Sequence, residues 1–228
     1  MTTDSLMGFK SLLLEMFLLV GIAMLVPVVV MIDFKVLGNE LEEISITEQL
    51  QEIILFFAAV LMFLRAKNTP ELRATFVLIG GFFACLFVRE FDFLFDRTPI
   101  SWAWVTSLIA ISCIYYAWQY KSTVLASLLR YGNSRSYVYI VIGLVFLVVF
   151  SRLFGSGGFM WKAVMGDAYT HVFKTVIQEG LELYGYGLIA LGVTTSKVAD
   201  WLPKKQCETV PYKESKEPLA ILYRSRHQ

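Results

Sequence analysis

The sequence predicts an all-α integral membrane protein, built as a bundle of about six transmembrane helices with both termini in the cytoplasm. Composition is the first reason, because 57% of the 228 residues are hydrophobic and only 17% are charged, whereas soluble domains contain about 45–50% apolar and about 25% charged residues. The mean hydropathy of +0.61 agrees. The second reason is that apolar segments recur along the chain at the length a membrane span requires. A net charge of +1 argues against nucleic acid as a partner.

Six segments are predicted to cross the membrane, at residues 11–32, 46–64, 74–95, 100–120, 137–154 and 176–196. No A-x-A cleavage motif follows the first segment, so it is predicted to be a retained helix rather than a signal peptide. Pro27 can kink its outer half, and Glu15 is expected to reach the interface near Lys10. Residues 1–196 are therefore expected to form one transmembrane domain.

Span four is bordered at both ends by the aromatic residues Trp102, Trp104, Trp118 and Tyr120. Such residues collect at the two membrane interfaces, so they support the span boundaries and need no catalytic role. In the loop after span five, residues 159–168 are expected to form a short amphipathic helix in the interface. Residues 197–228 are polar and net basic, and are expected to form a disordered cytoplasmic tail that can contact anionic lipid.

The distribution of basic residues predicts the orientation. With both termini in the cytoplasm, 14 of the 20 lysines and arginines fall on the cytoplasmic side. An excess of Lys and Arg on that side is the usual determinant of membrane topology. We therefore expect this orientation, in the inner (plasma) membrane of a bacterium.

Spans two, three and six are too short to cross a membrane without charged residues. Their uncharged stretches contain only 12, 15 and 14 residues, whereas a spanning helix needs about 20. Each of these helices must therefore carry acidic residues into the membrane, and the six involved are Glu48, Glu52, Glu90, Asp92, Glu179 and Glu182. Ionisable groups at membrane depth are costly and usually mark functional sites.

Counting from the basic residue at the cytoplasmic end of each short span places these acids at one depth. At a rise of about 1.5 Å per residue, Glu52, Glu90 and Glu182 lie about 20, 26 and 22 Å above that end. The same layer contains Arg89, with Lys174 nearby. Close carboxylates cannot all remain ionised in a low dielectric, so the layer is predicted to hold protons or a cation.

The leading hypothesis is a cation or proton site in a protein of transport or sensing. Oxygen ligands alone suit a hard divalent cation such as Ca²⁺, Mg²⁺ or Mn²⁺ better than Zn²⁺. Neither Glu52 nor Glu179 is followed three residues later by histidine, which argues against a di-iron carboxylate centre. The three cysteines, Cys85, Cys113 and Cys207, have no spacing typical of a disulfide framework or a zinc site.

Three other interpretations use the same residues. In the first, Arg89 pairs with one or two acids and the ion pairs simply hold the helices together. In the second, the protein is an intramembrane hydrolase or transferase acting on lipid, with Glu90, His171 and Glu182 as candidate catalytic groups. In the third, it is a non-catalytic subunit of a membrane complex. The expected partners are membrane lipids and either another membrane protein or a second copy of the chain.

Glycines recur in spans three and six, at Gly80, Gly81, Gly180, Gly185, Gly187 and Gly192. Small residues let membrane helices approach each other closely. Because the same two spans also carry acids, spans three and six are predicted to pack directly against each other, with span two beside them.

Overall fold

The computed structural model describes residues 3–37, 45–91, 95, 101–156 and 160–199, and within these ranges the chain is helical and has no strand. The α-helices of these ranges are α1 (Thr3–Ile32), α2 (Ile46–Asn68), α3 (Arg73–Glu90), α4 (Trp102–Gln119), α5 (Lys121–Gly132), α6 (Arg135–Val145), α7 (Ser151–Phe154), α8 (Lys162–Met165) and α9 (His171–Ala199). Two π-helical segments, Asp33–Leu37 and Phe146–Phe150, extend α1 and join α6 to α7.

Within the described ranges, four helical segments are long and apolar enough to cross a membrane, namely Phe9–Lys35, Ile46–Asn68, Pro70–Glu90 and Arg135–Phe154. They correspond to predicted spans one, two, three and five, and they support a helical protein embedded in a membrane. Among the described residues, α4 and α9 do not meet the same criterion of length and hydropathy. Asp92 and residues 200–228 of the predicted tail lie outside the described residues.

Local sequence explains where several helices begin. Ser45, Ser101 and Ser134 directly precede α2, α4 and α6, and each side-chain oxygen accepts a hydrogen bond from a backbone N–H inside its helix. This is the usual role of serine at a helix N-cap. After α2 ends, Pro70 opens a short 3₁₀ turn that ends at Leu72, and α3 begins immediately afterwards.

The long helices pack side by side in the order α4, α3, α2, α9 and α6, and α1 lies against α9. The central helices are therefore α2 and α9. The largest buried side chains lie on α2, α3 and α9, and Leu55, Met62, Phe83, Tyr186 and Ile189 are each at most 2% exposed. The core therefore lies along the central helices, and one end of it meets the acidic residues.

The predicted direct packing of spans three and six is wrong. Because α2 lies between them, α3 and α9 have no extensive contact with each other. The two helices are joined instead by a side-chain contact, in which the Tyr186 hydroxyl of α9 donates a hydrogen bond to Glu90 at the end of α3. The extensive partner of α9 is α6.

The close approach predicted for the glycines does occur, but with other partner helices. A Cβ atom built on Gly185 of α9 would lie 2.8 Å from the carbonyl oxygen of Gly143 on α6, and one built on Gly143 would lie 2.6 Å from the carbonyl oxygen of Gly185. No side chain fits at either position, so the two backbones are in contact. On α3, Gly81 faces Cys113 of α4.

The sequence does not predict α5, which connects α4 to α6. Its Ser127 hydroxyl shares a hydrogen bond of 2.7 Å with Thr75 of α3. Its Tyr131 ring packs edge-on against Phe76, with ring centroids 5.4 Å apart. These contacts fasten α5 across the end of the bundle where α3 begins.

Glu15 of α1 has a partner that the sequence does not indicate. Its carboxylate accepts hydrogen bonds from Arg135 Nη1 at 2.8 Å and from the Tyr139 hydroxyl at 2.7 Å. The Glu15 side chain is consequently only 17% exposed. An ion pair therefore links α1 to the start of α6.

The helix predicted at 159–168 is shorter than expected. The α-helix α8 ends at Met165, and a 3₁₀ turn follows from Gly166 to Ala168. Gly166 has a φ of 55°, a conformation that glycine adopts without a steric penalty. This residue therefore interrupts the helix.

Candidate functional site

Five of the predicted acids come together at the end of the bundle where α2 begins. The Glu90 carboxylate lies within electrostatic range of Glu52, Glu179 and Glu182. Glu48 lies within the same range of Glu179. We call these five residues the carboxylate layer; they are contributed by α2, α3 and α9.

The Glu179 carboxylate is held by an amide from the neighbouring helix. The Gln51 Nε2 atom of α2 donates hydrogen bonds to Glu179 Oε2 at 3.2 Å and to the Glu179 carbonyl oxygen at 3.4 Å. Gln51 is only 2% exposed, so this contact is shielded from solvent. It joins the two central helices inside the carboxylate layer.

The Glu90 carboxylate has one charged and one neutral partner. Arg89 Nη2 lies 3.2 Å from Glu90 Oε1, and the Tyr186 hydroxyl donates to the same oxygen at 3.0 Å. Tyr186 is four residues after Glu182, so both side chains lie on one face of α9. A single face of α9 therefore reaches the end of α3.

Glu182 is the most buried member of the carboxylate layer, and only 8% of the residue is exposed to solvent. Gln178 Nε2 donates a hydrogen bond to its Oε1 atom at 3.3 Å. The Ser151 hydroxyl and the Arg152 guanidinium lie near the same carboxylate. Glu182 thus connects α9 to α7.

A π-helical segment brings α7 to this position. The segment Phe146–Phe150 ends directly before Ser151, whose hydroxyl also donates to the Leu147 carbonyl oxygen at 2.6 Å. π-helical turns are rare and frequently occur at functional sites. Nothing in the apolar sequence of this segment distinguishes it from an ordinary α-helix.

Asp33 is a further buried carboxylate near the start of α2, and the sequence does not predict its role. Its side chain is fully buried and accepts hydrogen bonds from Ile46 N at 2.8 Å, Thr47 N at 3.0 Å and Thr47 Oγ1 at 2.5 Å. A carboxylate at a helix N-terminus satisfies free N–H groups and opposes the positive end of the helix dipole. Asp33 therefore anchors the end of α1 to α2, and this structural role accounts for its burial.

A cavity of about 90 Å³ lies beside Glu182. Its polar lining consists of Arg89, Arg152, Glu182 and Tyr186, and the rest of its wall is apolar. The cavity is therefore the place where the carboxylate layer meets the two arginines.

The described residues contain no group of three or more His, Cys, Asp or Glu side chains that could hold a metal ion. Three of the predicted metal ligands, Glu90, Glu179 and Glu182, instead have separate hydrogen-bond partners. Asp92, the sixth predicted ligand, lies outside the described residues.

His171, the candidate base of the lipid hydrolase or transferase, lies at the start of α9 and is exposed. It is eight residues before Glu179 on a continuous helix, which corresponds to a rise of about 12 Å. Proton transfer requires hydrogen-bond reach, directly or through one water. Its Nδ1 atom lies 3.4 Å from the Thr175 hydroxyl, and this position does not favour an enzyme built on His171 and the carboxylate layer.

Sequence reasoning misses the partners of the carboxylates, which are Gln51, Ser151, Arg152, Gln178 and Tyr186. The sequence pattern could have identified two of them, because Gln178 and Tyr186 lie four residues on either side of Glu182 and must share its face of α9.

Comparison with known proteins found no match to the chain: no protein-family model, no curated protein and no solved structure matches it.

Proposed function

We propose that the carboxylate layer binds protons, and that the protein uses this binding for transport across the membrane or for sensing at its outer side. The observation that carries the proposal is that Glu90 lies within electrostatic range of carboxylates on both α2 and α9. The guanidinium groups at this layer in the described chain are those of Arg89 and Arg152. Even without Glu48, two cations do not balance the four other carboxylates of the layer, and bound protons would complete the balance.

The hydrogen bonds favour protons over a coordinated metal ion. A hard cation such as Ca²⁺ needs six to eight oxygen ligands that converge on one point. Here each carboxylate has its own donor, because Gln51 donates to Glu179, Tyr186 donates to Glu90 and Gln178 donates to Glu182. Ca²⁺, Mg²⁺ or Mn²⁺ is the alternative occupant, and the experiment below distinguishes it from protons.

We further propose that α4 and α9 complete a six-span bundle with both termini in the cytoplasm, in a bacterial plasma membrane. α4 has 18 residues and α9 has 29, which corresponds to lengths of about 27 and 44 Å. α4 packs against α3, and α9 packs against α2 and α6, so each lies beside helices that are apolar enough to span. The excess of basic residues at the ends assigned to the cytoplasm supports the orientation.

The test is infrared difference spectroscopy of the purified full-length chain in lipid during a pH titration. A proton held by a carboxyl group gives a C=O stretching band that a carboxylate lacks. We expect such a band at neutral pH in the wild type, and we expect Glu179→Gln and Glu182→Gln each to remove part of it. The matched control is Glu71→Gln, because Glu71 is an exposed glutamate at the opposite end of the bundle.

Two results would overturn the proposal. One is a neutral-pH spectrum without a protonated carboxyl band in the wild type. The other is a band that Glu179→Gln and Glu182→Gln leave unchanged. Saturable binding of Ca²⁺, Mg²⁺ or Mn²⁺ without such a band would show that a cation is the occupant.

Transport and sensing are separated by a second measurement. The wild type is reconstituted into vesicles that contain a pH-sensitive dye, and a pH gradient is imposed. Transport predicts proton movement that Glu182→Gln reduces several-fold relative to Glu71→Gln. Protonation without proton movement would assign the site to sensing.

A further inference from the structure

We infer that the cavity beside Glu182 binds the phosphate group of a membrane phospholipid between Arg89 and Arg152, and that the lipid enters sideways between α3 and α6. The inference does not depend on the proton-binding proposal. The two share residues, and a bound phosphate would add a negative charge beside Glu182 that additional protons on the carboxylate layer would offset. Lipid binding itself is measured without any titration.

The first argument is the position of the two guanidinium groups. Arg89 lies in the last turn of α3 and Arg152 lies in α7, yet both line one cavity of about 90 Å³. This volume is well below the roughly 300–1,000 Å³ of a pocket for a drug-sized ligand, and it suits a small group such as a phosphate. Guanidinium groups bind phosphate oxygens through two parallel N–H donors, which suits a pair of arginines to a phosphate.

The second argument is that the arginines have donors to spare. A guanidinium carries five N–H donors in a planar fork that matches the geometry of phosphate oxygens. Arg89 binds Glu90 through Nη2 at 3.2 Å while its side chain remains 42% exposed. Arg152 is exposed and takes no part in the ion pairs within 4.0 Å found among the described residues.

The third argument is the apolar wall, which favours a lipid over a free phosphate ion. Leu86, Leu144, Leu147 and Val148 complete the cavity. Leu86 precedes Arg89 by three residues and Val148 precedes Arg152 by four, so these side chains lie about 5–6 Å from the arginines along the helix axes, towards the middle of the membrane. A lipid whose phosphate lies between the arginines would therefore place its acyl chains along an apolar surface.

The fourth argument is access from the bilayer. α3 has no extensive contact with the segment Arg135–Phe154, and α9 lies behind the gap between them. Val148 at the edge of the gap is 62% exposed. The cavity is therefore open towards the side of the bundle where the apolar exposed residues face lipid.

The test measures lipid retained by the full-length chain after exhaustive washing in detergent, by native mass spectrometry. The probe is phosphatidylglycerol, and the matched ligand without a phosphate is diacylglycerol. We expect the wild type to retain phosphatidylglycerol in preference to diacylglycerol, and the double substitution Arg89→Gln with Arg152→Gln to reduce retention several-fold. The control is Arg130→Gln, which removes an exposed arginine at the other end of the bundle.

A second variant keeps the test decisive if the double substitution fails to fold. Val148→Trp leaves both charges in place and fills the apolar part of the cavity, so it should also reduce retention. Its fold is checked by size-exclusion chromatography and far-ultraviolet circular dichroism.

Three outcomes would overturn the inference. The first is equal retention of phosphatidylglycerol by the Arg130→Gln control and by whichever of the two cavity variants folds. The second is equal retention of diacylglycerol and phosphatidylglycerol by the wild type. The third is complete displacement of the lipid by millimolar inorganic phosphate, which would assign the site to a free phosphate ion.

Discussion

The two ends of the bundle treat acidic residues in different ways. At the end where α3 begins, which we call the paired end, Glu71 lies 2.5 Å from Arg130 and Glu15 lies 2.8 Å from Arg135. Each of these carboxylates has an arginine of its own. Their charges are balanced without a proton or an added cation.

At the other end, carboxylates outnumber the arginines that face them. In the carboxylate layer, Arg89 and Glu90 form an ion pair at 3.2 Å. Glu90, Glu179 and Glu182 also accept hydrogen bonds from neutral donors, which are Tyr186, Gln51 and Gln178. A neutral donor positions a carboxylate without fixing its charge, so the difference between the ends indicates where protonation can change.

The largest effect on stability is expected from Asp33→Asn, near the carboxylate layer. Asp33 accepts three hydrogen bonds at the start of α2, whereas asparagine offers one acceptor oxygen and presents an NH₂ group to donors. The free energy of unfolding should fall by about 3 kcal/mol, since hydrogen bonds to a charged group are worth about 1.5–3 kcal/mol. Reversible unfolding in mixed detergent micelles, followed by circular dichroism, measures the change. An unaltered unfolding curve would contradict the anchoring role.

The next largest loss of stability is expected from Gly185→Ala, which disrupts the close contact between α6 and α9. An added Cβ would lie 2.8 Å from the Gly143 carbonyl oxygen, so α6 and α9 must separate. Overpacking of this kind costs about 1–3 kcal/mol. The control is Gly21→Ala on α1, where a Cβ atom meets nothing within 4 Å. The same unfolding assay should show a loss for Gly185→Ala alone, and equal stabilities would argue against a tight α6–α9 contact.

A smaller effect is expected from Tyr186→Phe, which removes a neutral donor from Glu90 and changes little else. The loss should be about 1.5 kcal/mol in the free energy of unfolding, at the lower end of the range for one hydrogen bond to a charged group. The infrared band of protonated carboxyl groups should also change in this variant, because Glu90 loses a donor to its charged form. A normal spectrum together with normal stability would show that the Tyr186–Glu90 bond has no influence on the layer.

The smallest effect is expected at the paired end, from Glu71→Gln. The side chains of Glu71 and Arg130 are 71% and 68% exposed, and exposed ion pairs contribute about 0–1 kcal/mol. Raising the salt concentration should reduce even this difference between wild type and variant. A loss as large as that of Asp33→Asn would remove the distinction between the two ends.

The sequence predicts well what depends on length and hydropathy. The α-helices begin or end within a few residues of most predicted spans, and counting along spans two, three and six correctly brings Glu52, Glu90 and Glu182 into one neighbourhood. The six-span count stays a prediction for α4 and α9, because neither reaches the hydropathy that identifies the other four. In α9 the lowered hydropathy has a plain cause, since glutamates and glycines replace apolar residues.

The sequence predicts poorly which helices are neighbours. Glycines indicate that a close helix contact exists but not which helix provides it. The packing of spans three and six that they suggest is wrong, because Gly185 meets Gly143 of α6. Asp33 is 13 and 14 residues from the N–H groups it binds, and no local pattern indicates such a return. Arg152, one of the two arginines of the site, lies near Glu182 directly after a π-helical segment, which no local pattern indicates.

Gln51 has a consequence for what a change of charge could do to the bundle. A neutral carboxyl keeps an oxygen that can accept, so Gln51 Nε2 can go on donating to Glu179 whether that carboxyl is ionised or neutral. Arg89 binds Glu90 through opposite charge, and this attraction weakens once the carboxyl is neutral. Protonation should therefore leave the contact between α2 and α9 in place but weaken the ion pair at the end of α3. Any conformational change that follows protonation should begin at that end of α3.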